Sequence, residues 1–174
     1  EDISDFEIEG MSIGDSLLDY YSEKIILENI SGSQYPSNEF TLIWLRDSKF
    51  KTFDAVTITY KTKDNKYTIH AITGSKYYYK NFNDCLKTKE KVEKEVSSMF
   101  NNAQMQTIDN DTHSFDETGN SFQFVSMINL KNGDIDIVCY NWSDELNLND
   151  RPDELGITIS SLDFIDFIYN RAWN

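Results

Sequence analysis

The chain has 174 residues, of which 39% are hydrophobic and 14% are aromatic, which is enough for a packed core and atypical of a disordered chain. We therefore expect a single domain spanning residues 1–174. With 16 basic and 30 acidic residues, the formal net charge is -14. This charge disfavours nucleic acid as a partner, because phosphate backbones repel acidic surfaces. No run approaches the roughly 18 apolar residues of a membrane span, so we expect no transmembrane segment.

The first third of the chain predicts two short helices followed by strands. Ser12 with Asp15 three residues later indicates a helix start, and Ser22 predicts the cap of a second short helix. Small and polar residues over 31–38 then indicate a loop. Alternating apolar residues predict three strands after it, with a hairpin turn between the second and third. These strands cover residues 40–46, 53–61 and 66–73, and the turn covers residues 63–65.

A long amphipathic helix is predicted from Phe82 to Phe100, with Asn81 as its cap. Its charged residues include two opposite-charge pairs at helical spacing, which is typical of a solvated helix face. We assign to this exposed face Lys87, Lys89, Glu90, Lys91, Glu93, Lys94 and Glu95.

The last part of the chain predicts a three-stranded meander, a polar loop, a short strand and a final helix. The meander covers residues 104–112, 121–130 and 135–142, and Asn132-Gly133 marks its second hairpin. The loop covers residues 143–154. Ser160 opens the final helix, and its expected buried stripe consists of Leu162, Ile165, Ile168 and Ala172.

This order of elements predicts an α+β fold. Runs of strands interrupted by single helices favour an antiparallel sheet over a parallel one. We expect the helices, namely the short N-terminal pair, the central helix and the C-terminal helix, to pack on one face of that sheet.

The two cysteines are predicted to meet. Cys85 lies on the apolar stripe of the central helix, and Cys139 lies on the strand face that this helix covers. A disulfide is favoured, and two separate buried thiols are the alternative. A disulfide indicates an oxidising compartment, so we expect a periplasmic or secreted protein. The chain begins at Glu1 without a leader pattern, so we expect that a leader was cleaved or that the start was trimmed.

The residues that usually carry catalysis form no recognisable motif. His70 and His113 are not spaced as metal ligands, the glycines form no phosphate-binding loop, and no serine lies in a nucleophile elbow. The acidic segment 109–113 fails the pattern of an EF-hand loop, whereas segment 144–154 offers enough oxygen ligands without a recognisable spacing, so calcium binding by an acidic loop stays open although a plain surface loop is favoured. We therefore predict no cofactor and no metal site, and we assign no catalytic residue. A pair of carboxylates acting in hydrolysis stays open, because 30 acidic residues offer many pairs.

The aromatic residues are the best candidates for a binding site. Three consecutive tyrosines cannot all be buried on one face, so at least one ring should be exposed. Exposed aromatic rings with polar tips suit the recognition of a partner. The alternative is that the tryptophans complete the core at the ends of elements. The candidate partner-binding residues are Tyr77, Tyr78, Tyr79, Trp44 and Trp142.

Residues 3–18, 74–78 and 138–143, together with Cys85 in a Lys-rich helix, resemble small uncharacterised exported proteins of streamlined marine bacteria. This resemblance implies export and supports a disulfide. Gly10-Met11-Ser12 before a helix pair and a hairpin is more remotely similar to outer-membrane assembly lipoproteins of the BamE type and to β-lactamase-inhibitor-like domains. That resemblance implies small helices on a sheet and a role in binding other proteins.

The sequence therefore favours an exported, non-enzymatic module that binds a protein or an envelope component. Two alternatives remain open at this point. One is a carboxylate-dependent hydrolase, for example of glycosides. The other is a periplasmic binder of a small ligand.

Overall fold

The structure is a computed structural model that describes residues 2–32, 35–79, 81–100, 105–114, 116–147 and 151–173. Eight strands and four α-helices lie in these ranges. The strands are β1 (Ile30–Gly32), β2 (Phe40–Leu45), β3 (Ala55–Lys61), β4 (Ala71–Tyr78), β5 (Met105–Thr112), β6 (Phe122–Leu130), β7 (Gly133–Asn141) and β8 (Asp153–Ser161). The helices are α1 (Glu23–Glu28), α2 (Phe82–Met99), α3 (Asp144–Asn147) and α4 (Leu162–Asn170).

The strands form an antiparallel sheet in the order β1-β2-β3-β4-β8-β7-β6-β5. This is a mixed α+β fold, which confirms the predicted fold class at that level. The register is defined near both ends of the sheet, where Thr41 lies opposite Tyr60 and Thr107 lies opposite Ser126. The arrangement of the helices on one face stays a prediction.

The chain divides into two compact units, and each is described by itself. Unit 1 takes its described residues from Glu1–Gly74, Leu130–Asp134 and Thr158–Asn174. Unit 2 takes its described residues from Ser75–Asn129 and Ile135–Ile157. The prediction of a single domain over residues 1–174 stays a prediction.

The predicted helix start at Ser12 is wrong. The Asp15 carboxylate accepts the Ser12 backbone N–H at 2.9 Å, but Gly14 has a φ of +94°, a left-handed conformation that a helix cannot contain. A single 3-10 turn forms only after Ser16, over Leu17–Asp19. The second prediction is confirmed, because Ser22 caps α1 with its side chain.

The expected hairpin at residues 63–65 is a longer loop, and β4 begins at Ala71 instead of Lys66. The Asp64 carboxylate accepts the backbone N–H groups of Lys66 and Thr68, each at 2.9 Å. These local bonds satisfy backbone donors that a strand would otherwise use, so the loop competes with continued strand pairing. As a result, β4 extends further toward the tyrosines than the sequence pattern indicates.

The helix α2 covers the predicted range to within one residue. Its cap differs, because Asn81 makes no side-chain cap bond and its amide instead donates to the Asp84 carboxylate. The expected ion pair between Glu90 and Lys94 is present on the exposed side at 2.6 Å. Its contribution to stability is small, because exposed pairs are screened by water.

Lys89 corrects the predicted solvated face of α2. It is only 5% exposed, because it follows Cys85 by four residues and therefore lies on the same helix stripe. Its ammonium group donates to the Ser126 hydroxyl at 2.7 Å and pairs with Glu93. The four-residue spacing from Cys85 indicates this burial, but the sequence does not identify Ser126 and Glu93 as the partners that a buried ammonium needs.

Cys85 and Cys139 lie at disulfide-bonding distance, with their sulfur atoms 2.04 Å apart. Both residues are fully buried. The prediction that the two sulfurs meet is confirmed, because each residue lies on the face that the periodicities of α2 and β7 indicate.

The meander β5-β6-β7 is confirmed, although its second turn differs from the expected one. The loop consists of Lys131 and Asn132, and Gly133 already belongs to β7. A Cβ atom at Gly133 would lie 2.2 Å from the Ser160 carbonyl oxygen and 2.6 Å from the Ile3 side chain. Glycine is therefore required at this position by close packing rather than by the turn.

The buried side of α4 differs from the predicted stripe. Leu162 is 52% exposed, whereas Phe164 and Phe167 pack against Phe40, with ring centroids 5.2 and 4.7 Å from the Phe40 ring. Ala172 belongs to the same cluster and Ile168 packs against it, as predicted. Large aromatic side chains remove more apolar area from water than Leu does, so they decide which side of the helix faces the core.

We expect the disulfide to stabilise the protein substantially. It joins residues 54 positions apart, and closing a loop of this length contributes about 4 kcal/mol through the lost entropy of the unfolded chain. The double substitution Cys85→Ala and Cys139→Ala should lower the free energy of unfolding by that amount in urea denaturation. Reductant should lower the urea midpoint of the wild type and leave that of the double variant unchanged. A wild-type midpoint insensitive to reductant would contradict this prediction.

Asp134 should make stability depend on pH. Burial raises the pKa of Asp134 to about 6, although a hydrogen bond from the Ser160 hydroxyl opposes this shift. The folded protein therefore favours the protonated acid, so the free energy of unfolding falls as the pH rises from about 4 to about 6.

The substitution Asp134→Asn should raise the free energy of unfolding at pH 7 by roughly 1 to 3 kcal/mol and remove this pH dependence. The control Asp64→Asn should act in the opposite direction, because hydrogen bonds from Thr68 and Lys66 lower the pKa of Asp64. Thermal unfolding between pH 4 and pH 8 measures both variants. Equal pH dependence in the wild type and Asp134→Asn would disprove the assignment.

Candidate functional site

One sheet face of unit 2 is defined by its contacts with α2. Cys139 of β7 bonds to Cys85 of α2, and Ser126 of β6 accepts from Lys89 of α2. Because side chains alternate along a strand, Asp136 and Tyr140 of β7 lie on the other face. Glu154 of β8 and Ser75 of β4 share a hydrogen bond, and Glu154 also lies close to Tyr140. We name this second surface the acid–tyrosine face, and it consists of Ser75, Tyr77, Tyr79, Asp136, Tyr140 and Glu154.

The tyrosine run ends on this face. Tyr79 is 73% exposed, and its ring contacts that of Tyr77 edge-on, with centroids 6.5 Å apart. Tyr78 points to the opposite face by alternation, and its hydroxyl is buried without a hydrogen-bond partner among the described residues. The structure therefore brings Tyr77 and Tyr79 together and separates Tyr78 from them.

Glu154 and Tyr140 give the acid–tyrosine face its electrostatic character. Burial raises the pKa of Glu154, although the Ser75 hydroxyl and the charge of Arg151 oppose this shift. Burial, together with the negative charges of Glu154 and Asp136, raises the pKa of Tyr140 to about 12. The phenol therefore stays protonated at neutral pH, and the face combines a hydroxyl donor with carboxylate acceptors.

Trp142 lies beyond the end of β7 and is 8% exposed. Its ring stacks on Tyr140 at 5.4 Å with an interplanar angle of 10°, and the Arg151 guanidinium lies 4.9 Å from its centroid. Its backbone N–H donates to Asp153 at 3.0 Å. These contacts fix the ring, so Trp142 packs into unit 2 and presents only an edge.

His113 packs against the same aromatic pair. Its ring lies edge-on to Trp142 at 4.8 Å and to Tyr140 at 5.5 Å. Burial lowers the pKa of His113, and the positive charge of Arg151 lowers it further. The imidazole is therefore neutral at physiological pH, and it acts here as an aromatic packing group.

Asp116 organises the connection between β5 and β6. Its carboxylate accepts the Ser121 hydroxyl at 2.6 Å, and the Thr118 hydroxyl and backbone N–H at 2.7 and 3.0 Å. The Ser121 hydroxyl in turn accepts the Ser143 backbone N–H at 2.9 Å. Hydrogen bonds from Ser121 and Thr118 hold the pKa of Asp116 well below its usual range. This network joins the β5–β6 connection to the segment that follows β7.

A polar cavity of about 340 Å³ lies beside this network. Its lining residues carry two amides, two hydroxyls (Thr118 and Ser143), two carboxylates and one aromatic ring. We name it the loop cavity, and its walls include Thr118, Asn120, Asn141, Trp142, Asp144 and Glu145.

Trp44 belongs to unit 1. It lies on β2, where it is 40% exposed, and the Arg46 guanidinium lies 4.8 Å from the centroid of its ring. Of the other four candidate residues, all in unit 2, the described structure brings the rings of Tyr77 and Tyr79 together, and Trp142 packs on Tyr140. Their role in binding stays a prediction.

A second, smaller cavity of about 160 Å³ in unit 1 contains the carboxylates of Glu9 and Asp47. Glu9 accepts three backbone N–H groups, those of Lys51, Thr52 and Phe53, at 2.7 to 2.9 Å. Despite partial burial, these bonds lower the pKa of Glu9. This carboxylate therefore holds a loop in place, and a hydrolase that uses an acid pair stays a prediction.

Ser161, His70 and Asp163 of unit 1 are close together but do not form a catalytic relay. The Ser161 hydroxyl lies 3.4 Å from Nδ1 of His70, and the Asp163 carboxylate lies 3.6 Å from the same nitrogen. A relay needs the hydroxyl and the carboxylate on opposite ring nitrogens. Ser161 instead caps α4 by accepting the Phe164 backbone N–H.

Within the described ranges, no three or more His, Cys, Asp and Glu side chains are grouped to hold a metal ion. In the same part of the chain, no helix combines the length and the apolar character needed to cross a membrane. Comparison with protein-family models, with curated proteins and with solved structures finds no match to this chain.

Sequence reasoning missed the residues that organise this region. The sequence pattern predicts a polar loop at Glu154, but this residue lies in β8 and bonds to Ser75, 79 positions earlier. Asp116 resembles any other acid of a polar connection, and only its buried partners distinguish it. The signal that was available is the tyrosine run, which predicts an exposed ring without saying which one.

We expect Asp116 to stabilise the β5–β6 connection above about pH 4. Because its pKa is lowered in the folded state, this stabilisation is lost as the pH falls through the folded pKa. At pH 7, Asp116→Asn should lower the melting temperature and speed amide exchange at Thr118 and Ser143. The matched control is Asp109→Asn, an exposed acid on β5, which should change neither quantity. Unaltered exchange in Asp116→Asn would refute the anchoring role.

Proposed function

We propose that this chain is an exported, non-enzymatic module that binds a protein or an envelope component through the acid–tyrosine face. The observation that carries this proposal is the position of Tyr79, whose ring is largely exposed beside that of Tyr77. Rings that combine an apolar body with a hydroxyl are frequent anchors of binding interfaces. A partner gains contact area there without a large entropic cost, because a tyrosine has few rotatable bonds.

The charge of the face favours a basic partner. Glu154 and Asp136 lie close to Tyr140 on this face, and Arg151 is the basic neighbour that acts on Glu154. The chain as a whole carries a net charge of -14. Complementary charge speeds encounter and suppresses wrong partners, so a segment rich in Lys and Arg is preferred over an acidic one.

A binding role also agrees with the structural use of the reactive groups in unit 1. Ser161 caps a helix, and Glu9 holds a loop through three backbone bonds. These residues came closest to catalytic arrangements in the described structure. Because their polar atoms are engaged in structural contacts, the exposed rings are the better basis for a function.

The disulfide supports the exported part of the proposal. Disulfides persist in oxidising compartments and are uncommon in the cytosol, and Cys85 and Cys139 lie at bonding distance. A periplasmic or secreted location follows from this chemistry and from the resemblance to exported marine bacterial proteins. The proposal also retains one domain over residues 1–174 and helices gathered on one face of the sheet.

The decisive experiment removes the exposed rings. We expect wild-type protein to bind immobilised Lys/Arg-rich peptides that contain aromatic residues, and to bind acidic peptides of the same length much more weakly. The double substitution Tyr77→Ala and Tyr79→Ala should weaken binding at least about tenfold, which corresponds to one interface hot spot. Peptide arrays followed by fluorescence anisotropy measure this affinity.

Tyr169→Ala is the matched control. Tyr169 lies on α4 of unit 1 and is 77% exposed, so its loss removes a comparable ring from another element. The control should bind as the wild type does, and all variants should keep their melting temperatures. Preference for acidic peptides, or equal binding by the double variant, would contradict the proposed function.

A further inference from the structure

The loop cavity has walls that are held from two directions. On one side, the Asp116 carboxylate fixes Thr118 through two hydrogen bonds. On the other side, the Ser143 backbone N–H bonds to Ser121, and Asp153 holds the backbone of Trp142. A cavity whose walls are fixed before binding loses little entropy when a ligand enters.

The walls of the loop cavity are polar, and most of their hydrogen-bonding side chains are uncharged. The amides of Asn120 and Asn141 can each donate and accept hydrogen bonds, and the carboxylates of Asp144 and Glu145 can accept them. Trp142 adds the edge of an aromatic ring. Such a combination matches a ligand that has several hydroxyl groups on a small apolar frame, because each hydroxyl both donates and accepts.

Other ligand classes fit these walls less well. An anion would face Asp144 and Glu145 in a chain with a net charge of -14. A metal ion would find only these two carboxylates in the cavity wall, and both side chains are exposed to water. A fully apolar ligand would leave the two amides without partners, which costs free energy when they are buried.

The volume of about 340 Å³ is at the lower end of the range for small-molecule sites. We propose that the loop cavity binds one or two residues of a neutral saccharide. In this arrangement Asn120 and Asn141 form hydrogen bonds with specific hydroxyl groups of the sugar. The carboxylates accept hydrogen bonds from other hydroxyl groups, and the edge of Trp142 contacts the sugar ring.

This inference goes beyond the proposed function, because the cavity and the acid–tyrosine face use different residues. A macromolecular partner is captured on exposed rings, whereas a saccharide is held by directional hydrogen bonds in a concave site. Either can fail while the other holds.

Fluorescence of Trp142 can test this proposal directly. The chain has three tryptophans, and Trp44 and Trp173 are exposed residues of unit 1. The substitutions Trp44→Phe and Trp173→Phe therefore leave Trp142 as the single tryptophan, which is excited at a wavelength where tyrosine does not absorb. This background protein is titrated with cellobiose, maltose and N,N′-diacetylchitobiose, each up to about 50 mM, a range suited to millimolar affinities. Glucuronic acid, glucosamine and calcium chloride serve as charged comparators.

We expect a saturable change in emission with at least one of the neutral disaccharides. Asn120→Ala and Asn141→Ala should each weaken it about tenfold, because each removes hydrogen bonds to hydroxyl groups. Asn129→Ala, an exposed amide on β6, is the matched control and should leave the affinity unchanged. Melting temperatures report whether each variant folds, and Asn120, which lies outside the strands, is the variant least able to disturb folding.

Three results would overturn the proposal. They are the absence of a saturable change with every neutral disaccharide, an undiminished response in both asparagine variants, and a stronger response to a charged sugar or to calcium. The double substitution Tyr77→Ala and Tyr79→Ala should leave saccharide affinity unchanged. That comparison separates a failure of this site from a failure of the proposed function.

Discussion

The attachment of α2 to β7 through Cys85 and Cys139 is the constraint on which the rest of unit 2 depends. Once these two positions are fixed, alternation along β7 decides which side chains lie under the helix and which lie on the other face. Asp136 and Tyr140 are thereby placed away from α2, beside Glu154 of the neighbouring strand. The surface proposed for binding is therefore a direct consequence of where the disulfide lies.

Buried charged groups have different surroundings on the two faces of this sheet. Under α2, the ammonium group of Lys89 meets Glu93 and Ser126, so its charge is compensated where it is buried. On the acid–tyrosine face, burial raises the pKa of Glu154, and only a hydroxyl and the charge of Arg151 oppose the shift. The first arrangement stabilises a specific packing. The second is a carboxyl group whose burial favours its neutral form, and perturbed groups of this kind are common at sites that act on other molecules.

Sequence patterns predicted what depends on periodicity and missed what depends on distant contacts. The bounds of α2, the pairing of Cys85 with Cys139 and the meander follow from spacings of two and of three to four residues. The first expected helix failed because Gly14 adopts a left-handed backbone, and the burial of Lys89 depends on a strand 37 positions away. The same holds for the candidate site. The sequence shows the run of three tyrosines, but it does not show that Glu154 is buried beside Ser75.

Trp142 connects the two surfaces of unit 2 that this structure suggests for binding. One side of its ring stacks on Tyr140 of the acid–tyrosine face, and its edge contributes to the wall of the loop cavity. Because the ring is nearly buried, its size sets the packing of both surfaces at once. A change at Trp142 therefore cannot assign a function to either one. Residues at the outer ends, Tyr79 on the face and Asn120 in the cavity, are the positions at which the two proposed activities can be tested separately.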